Sequence, residues 1–440
     1  MRNIILLTGL NFFLDIMSTM DDSTSNSSIA QSFEQPSQEE IDECKRILST
    51  DGVKGYESFL RNKTEQWKVI PLNIGVIGSS GAGKSSFINA IRDLDGDDED
   101  AANVGVTETT MEPTSYSHPN NEMMKFWDLP GVGTKLFPKE SYLEKIGFEK
   151  FDFFLILTHT RFTELDTWLS QQIKSKGKQF FFLRTKIQCD IDNDRKAHPK
   201  KYRNDAKAVI EEVLRQIRAN LEENLNDLYE AEKVFLIDSY EQNKYDFILL
   251  AQRLVEDFPD LKRQAFIFSM NAFSVQMVQT KARELRSTMW KYASLSAVIA
   301  TIPTLGLSIA ADLVIIATAG KTFFNGLGLD DASLQKLSNI TRANLPKLKG
   351  IVEQNIDVKK LLTSQGIKEL CVSLPAVIAS EAAEEGLRFI PLLGSLIAAP
   401  ISFGTTYYIL NHIFTKIEEV ALLVVKTATE NISVDIVDDE

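Results

Sequence analysis

The run Gly78, Ser79, Ser80, Gly81, Ala82, Gly83, Lys84, Ser85, Ser86 constrains the fold more than any other stretch of the chain. The apolar segment VIPLNIGVIG leads into it and KSSFINAIR continues from it, so a buried strand precedes it and a helix follows. Glycine, four free positions, glycine, lysine and serine form the phosphate-loop pattern, which has meaning only between a strand and a helix. The glycines let the backbone wrap closely around phosphate oxygens. Successive N–H groups and the positive end of the helix then face the anion. In that setting Lys84 reaches the β and γ phosphates and the Ser85 hydroxyl is placed for Mg²⁺.

The surrounding pattern is α/β. EMMKFWDLPG, FDFFLILT, KQFFFLRT and EKVFLIDS are short apolar runs rich in Phe, Ile, Leu and Val, and read as strands. Between the last two, Ile210, Leu214, Ile217, Leu221, Leu225 and Leu228 recur every three or four residues and give one apolar helix face. Strands alternating with helices imply a mostly parallel sheet covered on both faces.

FWDLPG supplies a second phosphate-site element. Asp128 ends an apolar strand, where it holds Mg²⁺ through water, and the Gly131 N–H senses the γ-phosphate. Val132 follows that glycine and offers no side chain able to orient an attacking water, so intrinsic hydrolysis is expected to be slow. The preceding loop, NVGVTETTMEPTSYSHP, lies where a first switch belongs. Thr107, Thr109 and Thr110 are available there for Mg²⁺ or phosphate. Glu108 is a candidate water-positioning or ribose-contacting group, although a loop glutamate taken by itself is more often simply solvated.

RTKIQCD comes close to a guanine-reading motif, with Thr185 and Lys186 in register and Gln188 where an aspartate belongs. A carboxylate there accepts two charge-assisted bonds from guanine, whereas Gln188 offers one acceptor and one donor. The expected loss is about 1–3 kcal/mol, roughly ten- to hundredfold in affinity. Adenine pairs a donor with an acceptor, which a glutamine can match. Asp190 reads as a solvated loop acid.

The net charge of -13 argues against a general nucleic-acid role. Cys44, Cys189 and Cys371 have no metal-ligand spacing and read as reduced thiols. The first 36 residues read as a disordered leader. Residues 37–68 read as an N-terminal helical segment opened by a Ser37–Glu40 capping box, 69–258 as the nucleotide-binding domain and 259–440 as a C-terminal helical domain. The last contains two Pro/Gly-broken apolar segments, AVIATIPTLGLSIAADLVIIATAG and FIPLLGSLIAAPISFGTTYYILNHIF. Each reads as a helical hairpin, either buried core or membrane-contacting.

GSSGAGKSSFINAIR, AANVGVTETTMEP, FWDLPGVGT, FLRTKI and the paired apolar segments together resemble the immunity-related GTPases, relatives of the dynamin superfamily. The resemblance spans roughly 37–415. It implies a phosphate-loop GTPase domain with a mostly parallel sheet beside an all-α domain built from N- and C-terminal segments. It also implies GTP and GDP as ligands with Mg²⁺, self-assembly in the GTP state, and cytoplasmic placement with peripheral attachment to intracellular membranes. By the same resemblance Glu108 joins Lys84 in hydrolysis, acting across a dimer of nucleotide-binding domains. Asp238 and Ser239 fall in the family's second base-reading loop, with residue types that depart from its pattern. The alternative reading is a nucleotide-binding scaffold of low turnover and relaxed base selectivity.

Overall fold

A computed structural model describes residues 38–105, 112–225, 228, 230–242, 244–299, 305–357, 366 and 403–430. The proposed leader and the Ser37 cap lie outside them. The chain divides into two compact units, Trp67–Asn271 and a unit formed by the residues on either side.

Two helices come first, α1 (Gln38–Thr50) and α2 (Gly52–Thr64). The sheet unit then begins with β1 (Leu72–Gly78), α3 (Lys84–Ile91), β2 (Thr114–His118) and β3 (Asn121–Asp128). It continues through α4 (Tyr142–Ile146), β4 (Phe153–Thr158), α5 (Glu164–Ser175), β5 (Gln179–Arg184), α6 (Ile187–Ala197), α7 (Pro199–Leu225) and β6 (Val234–Leu236). Helices α8 (Phe247–Asp257) and α9 (Asp260–Ser269) close it.

The strands form one sheet in the order β2-β3-β1-β4-β5-β6. All neighbours pair in parallel except β2 with β3. Every residue of β4 is buried, as expected of a strand covered on both faces. The polar run TSYSH, read as part of the switch loop, is instead the antiparallel edge strand β2. Its first residues are exposed, so the apolar alternation that marks an inner strand is missing.

α7 is interrupted at Asp205, which is extended (φ -158°, ψ 87°). The Asp205 carboxylate accepts from the Ala208 N–H at 3.0 Å and so restarts the helix as a cap. The unit runs to Asn271, beyond the end expected at 258. Helix α9 packs on β1 and β3, Lys262 pairs with Asp152 at 2.5 Å, and Asn120 Nδ2 donates to Ser269 O at 2.8 Å.

The other unit contains α1, α2, α10 (Val275–Arg286), α11 (Met289–Ile299), α12 (Leu305–Gly326), α13 (Asp331–Thr341), α14 (Leu345–Asn355) and α15 (Phe403–Glu430). α11 and α12 lie on either side of Pro303, which is outside the described residues, whereas Gly306 of the expected break falls in the first turn of α12. Ala311, Ile315, Ile316, Ala319 and Phe323 on α12 are buried, and Phe323 meets Phe414 of α15 edge-on at 5.0 Å. The buried Asp312 accepts from Ser296 Oγ at 2.7 Å, and Ser296 Oγ lies 2.8 Å from Thr406 Oγ1. Three helices are thus tied through one polar cluster. Of the second apolar segment, residues 389–402 fall outside the described residues. No helix among the described residues is long and apolar enough to cross a membrane.

Candidate nucleotide-binding site

β1, β3, β4 and β5 end side by side, with Gly78, Asp128, Thr158 and Arg184 as their last residues. In an open α/β sheet this carboxyl edge is where a ligand binds. The phosphate loop leaves β1 there. Gly81 (φ +77°) and Gly83 (φ +85°) adopt left-handed conformations that side-chain-bearing residues rarely take. At Gly78 the constraint is space: a Cβ would stand 2.4 Å from the Leu157 carbonyl oxygen of β4.

Lys84 Nζ donates to the Gly78 carbonyl at 3.1 Å and lies 4.0 Å from Asp128 Oδ1. The two side chains are only 10% and 3% exposed, so little solvent screens the pair. Ser85 Oγ donates to Asp128 Oδ2 at 3.1 Å. One hydroxyl and one carboxylate beside a phosphate cradle are the hard oxygen donors that suit Mg²⁺, which completes its shell with phosphate oxygens and water. The donor set therefore fits a Mg²⁺-nucleotide.

The loop after β3 is held against this cradle. The Leu129 N–H donates to Val76 O at 3.0 Å, and the buried Tyr142 hydroxyl donates to Pro130 O at 2.8 Å. Gly131 lies against the phosphate loop: a Cβ on it would be 3.6 Å from Gly78 O. Val132 is partly buried and packs against the core cluster that contains Leu129, Phe137 and Phe162. Thr107, Glu108, Thr109 and Thr110 lie outside the described residues. The chain leading to them is fastened to α3, since Asn89 exchanges two bonds with Ala102 (2.9 and 2.6 Å). Beyond them, Arg92 Nε donates to Ser117 O of β2 at 2.9 Å.

At the other end of the cradle, Thr185 is buried, and its hydroxyl lies 2.7 Å from Ala82 O and 3.1 Å from Thr158 O. This links the Thr185–Gln188 segment directly to the phosphate loop. Lys186 is left-handed (φ +60°), and its Cε would lie 3.9 Å from a Cβ on Gly83, so its stem crosses the loop. Gln188 sits in the first turn of α6. Its main-chain N–H donates to Asp238 Oδ2 at 3.1 Å. Its side-chain amide is engaged at both ends: Oε1 accepts from Tyr245 OH at 2.7 Å, and Nε2 donates to Asp192 Oδ1 at 2.9 Å. Burial, with Asp238 adding to it, pushes the Tyr245 hydroxyl well above its ordinary range, so it remains a donor.

Asp238 is buried and also accepts from the Tyr240 N–H at 3.0 Å. It therefore joins the Thr185–Gln188 segment to the loop after β6, with the half-exposed Ser239 beside it. Asp190 is not the solvated loop acid expected. It lies in α6 and pairs with the buried Arg184 at 2.5 Å. Burial raises its carboxyl and lowers the Arg184 guanidinium, and their mutual attraction opposes both shifts. His159, just past β4, is shifted below its usual value by burial and then by Lys186 and Arg184.

The sequence reading found the glycine-rich cradle, Asp128 and the Thr185–Gln188 run, and the structure brings these together. It missed Tyr142, Tyr245 and Asp192, which support the loops from behind. Asp192 lies four residues beyond Gln188, a helical spacing that could have revealed it once α6 was recognised. The two tyrosines reach the site only through the tertiary fold and left no sequence signal.

The interferon-inducible GTPase family model matches residues 37–379. Interferon-inducible GTPase 5 of Bos taurus is 32% identical over 87% of this chain and 80% of its own length. Interferon-gamma-inducible GTPase 10 of Mus musculus is 30% identical over 89% of each chain. Interferon-inducible GTPase 1 of Mus musculus is 34% identical over 64% of this chain and 67% of its own.

Proposed function

This chain belongs to the interferon-inducible GTPase family, and on that premise we propose that it binds GTP and GDP with Mg²⁺ and hydrolyses GTP slowly when alone. It assembles through the nucleotide-binding domain in the GTP state. It acts in cell-autonomous immunity from the cytoplasm, attached peripherally to intracellular membranes through its helical domain. Family membership supports the assembly and membrane parts of this reading.

The binding part rests on one observation: the partly buried Lys84 ammonium stands between Gly78 O and Asp128, with Ser85 on the same carboxylate. The bound metal supplies charge neutralisation at the phosphates. The chain's own groups do the rest. Glycine N–H groups hold the phosphate oxygens, Lys84 draws charge toward the leaving side, and Asp128 with Ser85 fixes the metal's position. Gly131 carries the state of the γ-phosphate into the following loop.

Turnover is the finer question. Val132 is partly buried against the core cluster, and Glu108 is the proposed substitute for the water-orienting side chain. The engaged Val132 and Gln188 side chains favour a second reading, a nucleotide-binding scaffold with little turnover.

Two measurements test these readings. A Lys84→Ala variant should lose nucleotide binding at least tenfold, and retention at parental affinity would remove the site. Phosphate release measured over rising protein concentration separates an assembling enzyme, whose specific activity climbs, from a scaffold, whose rate stays flat and near zero.

A further inference from the structure

Tyr240 is the most exposed large hydrophobic side chain among the described residues, at 80%, and the one aromatic in that group. It does not stand on an open surface far from the site. Its main-chain N–H is held by Asp238, whose other oxygen holds the Gln188 N–H in the base-reading segment. Its hydroxyl lies 3.4 Å from Ser86 Oγ, in the first turn of the phosphate-loop helix α3. One end of the residue is thus fixed at the base segment and the other touches the end of the phosphate cradle. A nucleotide held by its phosphates at 78–86, with its base toward Gln188, passes between these same two points.

We propose that Tyr240 is the stacking platform for the nucleobase. This rests on the nucleotide-binding reading above and adds a specificity-determining residue to it. The contact with Ser86 is long and between exposed hydroxyls, so the ring is free to exchange it for the base. An aromatic face stacks on any base, because every base presents a π-surface. The base-edge contacts depend on base identity, and the Gln188 amide that should make one is already engaged by Tyr245 and Asp192. Tyr240 therefore supplies affinity common to guanine, adenine and xanthine, and the site tolerates more than one of them.

Calorimetric titration of the full chain with GDP, ADP, XDP and inorganic tripolyphosphate, each with Mg²⁺, tests this. Tyr240→Ala should weaken all three nucleotides alike, by about five- to hundredfold, the effect of losing one base–aromatic stack. It should leave tripolyphosphate unchanged. Tyr240→Phe, which keeps the ring and loses the hydroxyl, should bind nucleotides within about threefold of the parent. The proposal fails if Tyr240→Ala binds nucleotides as the parent does. It also fails if the variant loses tripolyphosphate to the same degree, or if only one base is affected. A parent that binds neither nucleotide nor tripolyphosphate overturns the phosphate-loop reading itself, and this inference with it.

Discussion

Replacing Gln188 with aspartate asks the structure a direct question about base choice. Two side-chain bonds disappear in the variant, Tyr245 OH to Oε1 at 2.7 Å and Nε2 to Asp192 at 2.9 Å. At about 1 kcal/mol net for each, the folded state should lose roughly 1–2 kcal/mol. Part of this returns, because a carboxylate in the first turn of α6 meets the positive end of that helix, worth about 0.3–1 kcal/mol. Asp192 and Asp238 nearby work against it as like charges. The main-chain bond from residue 188 to Asp238 does not depend on the side chain and should survive.

For the ligand, a carboxylate accepts from guanine N1–H and the exocyclic amine, and adenine cannot match it. GTP preference over ATP should rise by about ten- to hundredfold, the equivalent of roughly 1–3 kcal/mol. Competition of GTP, ATP and XTP against a fluorescent nucleotide reads this ratio in parent and variant. The reasoning is refuted if the parent already excludes ATP more than hundredfold, or if the ratio is the same in both proteins.

Gly78→Ala should cost at least about 3 kcal/mol, the upper end of overpacking penalties, because the new Cβ meets a main-chain oxygen of β4 that has nowhere to go. Urea unfolding of the purified variant measures it. Tyr142→Phe removes the donor to Pro130 O and should speed amide exchange at Gly131–Thr134 without altering the fold, as hydrogen–deuterium exchange would show. His159 should titrate below its ordinary value near 6.5, since burial and the cations Lys186 and Arg184 disfavour its charged form. Between that lowered value and 6.5 the unfolded chain binds more protons than the folded one. Stability therefore falls as pH drops through this window, and a His159→Gln variant should flatten that part of a denaturation profile.

The phosphate loop was legible because its chemistry is local. Glycines at left-handed positions, a lysine and a serine at the start of a helix act as consecutive residues, so their order in the chain is their order in space. The buried strands were legible for a similar reason, since a strand such as FFLILT that is covered on both faces must be apolar throughout. The edge strand β2 was not, because one exposed face permits TSYSH to look like a loop. Asp190 was misread because its partner Arg184 meets it only once α6 turns back over the end of β5.

Residue types next to one another along the backbone determined that this chain forms a mononucleotide-binding α/β unit. The tertiary structure alone decided where Gln188 directs its amide, because Tyr245 arrives from 57 residues away to hold it. It alone placed Tyr240 beside Ser86, 154 residues apart in sequence, at the mouth of the cradle. Such contacts are set by how loops pack at the ends of a finished sheet, and no periodicity or spacing along the chain encodes that packing.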